Sequence, residues 1–147
     1  MRAIALAPVP IALVSIAPSG RRRKGTATTM SALFRVSPEE VVDGQLAAYN
    51  ARDLEKFMEY YVEDVSVHAF PSGEVLADCS GPAFRERYRR LFAGSPDLHA
   101  ELVSRVRHGR IVVDQERVTG FMGDQVRTAV AMYEVGAERI ERVWFVA

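Results

Sequence analysis

With 147 residues, 48% hydrophobic and 26% charged, the chain has the size and balance of one globular domain with a single real core. The formal net charge is zero, but residues 1–29 hold five bases and no acid, so residues 30–147 are net acidic by five. That balance argues against a nucleic-acid partner, because phosphate contacts need a basic footprint. The single cysteine, Cys79, excludes an internal disulfide, and no Cys/His group has zinc spacing, which fits a reducing, cytoplasmic setting.

In chain order, Ala3 to Gly20 form an uncharged, mostly apolar run flanked by Arg2 and by Arg21–Lys24. Three readings stay open for residues 1–29: a disordered tail or translation begun upstream of Met30, a signal peptide, or a membrane anchor. Pro8, Pro10 and Pro18 oppose the anchor, since each breaks or kinks a helix. The folded part is read as residues 30–147. Ser37-Pro38-Glu39-Glu40 is a capping box with proline at the first helical position, which predicts a helix to about Asn50 burying Val42, Leu46 and Tyr49. Asp53 is placed to cap a second helix, in which Leu54, Phe57, Met58 and Tyr61 share one stripe. Glu63 and Asp64 end that stripe, and Val65, Val67 and Ala69 then alternate as a strand.

Phe70-Pro71-Ser72-Gly73-Glu74 predicts a turn, leading into a short strand through Val75 and Leu76. Ser80-Gly81-Pro82 opens a third helix carrying Phe84, Tyr88, Leu91 and Phe92, and Gly94 and Pro96 stop it. Four long strands follow, over 98–107, 110–119, 125–135 and 139–146, joined by short turns. Helices first and an antiparallel meander afterwards define a segregated α+β architecture. A curved antiparallel sheet packed against three N-terminal helices makes a cone whose wide end is the expected cavity. No repeats or low-complexity tracts interrupt the folded part.

The segments YNARDLEKF and YYVEDVSVH resemble the opening of the nuclear transport factor 2-like superfamily, which includes SnoaL-like polyketide cyclases and ketosteroid isomerase. The resemblance covers roughly Pro38 to the C-terminus. It implies the cone-shaped α+β fold and a small-molecule cavity. It also lets the isomerase machinery be tested position by position. The strand position of the general base falls on Ala69, that of the oxyanion-hole tyrosine on Gln45, and that of the neutral aspartic acid near Ala131. None of the three can do that work, so a steroid isomerase acting by that proton shuttle is not expected.

Other residues are the candidates for chemistry. Asp114 and Glu116 share one strand face about 7 Å apart, from a rise of ~3.4 Å per residue. They suit an acid/base pair, or they hold an arginine such as Arg127 or Arg142; the plain alternative is cross-strand salt bridges on the outer face. An Asp–Arg–Asp arrangement serves limonene epoxide hydrolase in the same superfamily, but its spacing is not recognisable here. His68 is the second catalytic candidate, although strand parity points it away from Val67 and Ala69 and so towards the outer face. Tyr49, Tyr61, Tyr88 and Tyr133 lie on apolar faces, where each is either a ligand-orienting hydroxyl or a core phenol bonded to backbone; with Glu116 they form the expected ligand-binding set. Trp144 and Phe145 point to opposite faces, and the outer one suits a dimer contact. The basic run Arg85, Arg87, Arg89 and Arg90 reads as a wet helix face, and Cys79 has no basic neighbour to activate it.

The resulting expectation is a protein that binds a compact apolar molecule without metal or cofactor. Its chemistry would be that of an isomerase, cyclase or hydratase; the alternative is a non-catalytic ligand carrier or dimeric interaction module. A sheet apolar on both faces predicts a homodimer through its outer face, with no nucleic-acid or membrane partner.

Overall fold

The computed structural model describes residues 36–121 and 123–146; the N-terminal segment discussed above lies outside them. Three helices, α1 (Pro38–Ala51), α2 (Leu54–Met58) and α3 (Pro82–Gly94), pack on one face of a curved five-stranded sheet. Its strands are β1 (Tyr61–Phe70), β2 (His99–His108), β3 (Ile111–Thr119), β4 (Arg127–Val135) and β5 (Ile140–Val146). The spatial order is β1-β5-β4-β3-β2. The expected antiparallel meander is β2 to β5, and β1 joins its far edge running parallel to β5.

Local chemistry explains the helix ends. Glu40 N–H donates to Ser37 Oγ at 3.2 Å, and Ser37 N–H to the Glu40 carboxylate at 2.7 Å, closing the capping box. Helix α1 stops where Arg52 turns left-handed, with φ 54°. The Arg52 guanidinium then donates to the carbonyls of Asn50 and Leu98. Asn50 bonds both backbone groups of Ala100, which ties the end of α1 to the start of β2. Asp53 caps α2 through Lys56 N–H at 3.0 Å. That helix is shorter than its apolar stripe suggests: it ends at Met58, and Tyr61 enters the core as the first residue of β1. The short strand expected at Val75–Leu76 is a single bridge, Val75 to His68.

An aromatic cluster fills the space between helices and sheet. Phe57 lies 4.6 Å from Tyr88, 4.9 Å from Tyr61 and 5.9 Å from Phe84, measured between ring centres. Phe92 and Tyr49 close the group edge-on at 5.5 Å. Each fully buried phenylalanine contributes roughly 1.5–3 kcal/mol. Burying Val112, Asp114, Glu116 and Val118 of β3, and Ala131, Tyr133 and Val135 of β4, defines the inner face of the sheet. Among the described residues, no helix is long and apolar enough to cross a membrane.

Candidate functional site

Asp114 and Glu116 both point inward from β3, beneath the helices. They sit opposite Ala131 and Ala129 of β4, two small residues. Asp114 is 0% exposed. The arginine that holds it is neither Arg127 nor Arg142. Arg105 of β2 donates from Nε to one Asp114 oxygen at 2.6 Å and from Nη2 to the other at 2.9 Å. Its Nη1 reaches Asp43 on α1 at 2.7 Å. Such a two-pronged charge-assisted pair is among the strongest polar contacts a protein makes, and it occupies both Asp114 oxygens.

A shift in register explains the substitution of partners. Leu102 pairs with Glu116 and Ser104 with Gln115, so Val103 is an extra residue on β2. This bulge reverses the alternation, turning Arg105 inward to face Asp114 and Val106 outward, where it is 67% exposed. Arg127 instead stacks over the Phe121 ring at 4.6 Å, and Arg142 pairs with Glu134.

Glu116 is 8% exposed, and its Oε1 has no hydrogen-bond partner among the described residues. Burial first, and the neighbouring Asp114 charge second, push its carboxyl up to about 7, with Arg105 pulling the other way. Around it stand the four tyrosines singled out from the sequence. Burial raises all four phenols, and the Glu116 charge adds to the rise of each, which places Glu116 within electrostatic reach of them all. Tyr61 donates its hydroxyl proton to Gln45 Oε1 at 2.9 Å, and Gln45 Nε2 donates to the Tyr133 hydroxyl at 3.4 Å. Tyr88 and Tyr49 complete the aromatic wall at a ring distance of 6.4 Å.

His68 does not join this group. It stands on the outer face, where its ring stacks on Trp144 at 5.6 Å and bonds Ser66 Oγ at 2.9 Å. Phe145 packs on the inner side against the core. The arginines of α3 are engaged by Glu55, Asp78 and Glu86 at the surface. Burial pushes the Cys79 thiol up to about 11, away from nucleophilic use. Among the described residues no three His, Cys, Asp or Glu side chains converge as a metal-ligand set.

A separate cavity of about 470 Å³ opens between the end of α3 and the β3–β4 turn, lined by Ser95, Asp97, Thr119, Gly120, Asp124 and Val126. It contains none of the groups around Glu116, where the perturbed, buried polar groups converge and make a candidate site. Three residues of that site, Gln45, Arg105 and Asp43, do not stand out as functional in the sequence. Gln45 carried one signal, a polar side chain in the buried stripe Val41, Val42, Ala48 of α1.

A family model described as the SnoaL-like domain matches residues 42–143. No curated protein matches the chain at the sequence level. Among solved structures, a cystatin-fold protein from Novosphingobium aromaticivorans is 27% identical with a TM-score of 0.66, covering 76% of this chain and 99% of that one. IdmH of Streptomyces antibioticus, named as a candidate polyketide cyclase, is 23% identical with a TM-score of 0.58 over 74% of this chain and 90% of that one. A protein of Kribbella flavida named as a candidate ketosteroid isomerase is 21% identical with a TM-score of 0.58, over 74% and 76% of the two chains. The last two likenesses speak to fold alone.

Proposed function

This chain belongs to the SnoaL-like domain family, and we propose that it binds a compact, mainly apolar molecule beside Glu116 and acts on it by cofactor-independent acid/base chemistry. The reaction class is that of an isomerase, cyclase or hydratase. Glu116 is the group that moves the proton. The observation that carries this reading is the buried Glu116 oxygen without a protein partner, because buried polar atoms are almost always satisfied and an unsatisfied one in a site invites a ligand. A carboxyl titrating near 7 both accepts and donates protons at neutral pH. Asp114 takes a different part from the one its sequence position suggests. With both oxygens held by Arg105, it adds to burial, the larger cause, in raising the Glu116 carboxyl. The four tyrosines around Glu116 supply the apolar surface against which the ligand packs.

The test is turnover on a panel of epoxides, enones and polyketide-like ketones, comparing the wild type with Glu116→Gln. General acid–base catalysis contributes typically 10²–10⁴-fold, so the variant should lose about that much in kcat while still binding. Equal rates in both proteins would remove Glu116 from the mechanism. Binding without turnover by either protein would favour the non-catalytic carrier.

A second copy of the chain is the proposed partner. Register aligns Val106, Val113, Met132, Trp144 and His68 in one row across the outer face of all five strands, and such a row calls for cover. The single, buried cysteine supports a reducing, cytoplasmic setting.

A further inference from the structure

We propose that Tyr133 is the donor that recognises a carbonyl oxygen on the ligand, and that Gln45 is the positioning residue that fixes the direction of its proton. This rests on the reading that a small molecule occupies the space beside Glu116. The argument comes from hydrogen-bond polarity. A glutamine side chain has one acceptor oxygen and one donor nitrogen. Gln45 spends the oxygen on the proton of Tyr61, at 2.9 Å, and turns its nitrogen to the oxygen of Tyr133, at 3.4 Å. Tyr133 therefore receives a proton from Gln45 and keeps its own to give away. Among the described residues, no group accepts that proton.

All three side chains are buried, so bulk water does not scramble this order. A ligand that brings an acceptor oxygen completes the chain Tyr61 to Gln45 to Tyr133 to ligand. A ligand of the same shape without oxygen leaves the last donor unused. The net value of one such bond corresponds to a preference of about three- to tenfold. Glu116 and Tyr133 both lie buried on the inner face of the sheet, on the adjacent strands β3 and β4.

The experiment is a binding titration of the full chain by NMR with acetophenone, an acceptor-only probe, and with ethylbenzene, its counterpart without oxygen. Working at pH 8.5 removes Glu116 as a competing donor. The wild type should prefer acetophenone about three- to tenfold, and Tyr133→Phe should erase the preference while retaining ethylbenzene affinity. Gln45→Glu keeps Tyr133 but accepts from both phenols, so it draws the Tyr133 proton away and should erase the preference too. This is an outcome that a merely packing role for Gln45 does not produce, and either variant suffices if the other fails to fold. Equal wild-type affinity for both probes overturns the donor assignment and leaves the small-molecule reading standing. A preference that survives the variants also overturns it. Failure of both probes to bind overturns the assignment together with the reading beneath it.

Discussion

Replacing Glu116 with glutamine should stabilise the protein, and by an amount that depends on pH. In the folded chain the carboxyl titrates at about 7, against 4.5 for the same group in an ordinary setting. Between those values the folded state holds a proton that the unfolded state has released, so unfolding becomes easier as pH rises. Stability is highest below the unfolded value, falls through the interval, and levels off above the folded one. At 1.36 kcal/mol per unit, the change between pH 5 and pH 8 comes to roughly 2–3 kcal/mol. Glutamine has nearly the same shape and no charge to lose, so the variant should lack this component of the pH dependence. Urea unfolding of both proteins at pH 5, 6, 7 and 8 measures it directly, with the difference between wild type and variant as the readout. A difference that stays constant within about 0.5 kcal/mol across that range would show that Glu116 is not held protonated by burial. The reasoning about its role in proton transfer would fall with it.

Arg105→Met should cost about 3–5 kcal/mol in equilibrium unfolding, because it leaves Asp114 buried without its counter-charge; a loss below about 1 kcal/mol would deny the clamp its importance. His68→Ala, altering the outer face, should leave probe affinity unchanged within twofold, and a larger loss would move the site across the sheet. Met132→Lys, placing a charge in the middle of the outer apolar row, should convert a dimer to a monomer in sedimentation; an unchanged mass would dismiss that face as the contact.

The parts legible in the sequence are those set by near neighbours. The capping box at Ser37–Glu40, the Asp53 cap and the alternation of Ile111–Thr119 each depend on residues a few positions apart, and the helices and strands follow from them. The fold class and the shared strand face of Asp114 and Glu116 come from the same source, but which side of the sheet that face covers does not. What the sequence hides is long-range. Gln45 reads as a lost tyrosine until the fold brings it to Tyr133, 88 positions away. There it is no vacant place in a catalytic set but the residue that orders two phenols. Asp43 likewise reads as one more exposed acid on α1 until Arg105 reaches it.

Arg105 shows why periodicity alone fails at this site. Strict alternation from Ala100 and Leu102 sends Ser104 and Val106 inward and leaves the arginine in solvent. In that arrangement the buried Asp114 would face a serine and lose the guanidinium that pairs both its oxygens. The extra residue at Val103 exchanges the two faces of β2 for the rest of the strand, so the arginine meets the acid and Val106 joins the outer apolar row. One inserted residue thus serves both surfaces of the sheet: it brings Arg105 to Asp114 within, and it extends the exposed row without. Asp114, Arg105 and the bulge form one physical unit: the extra residue turns Arg105 inward, and Arg105 pairs both oxygens of Asp114.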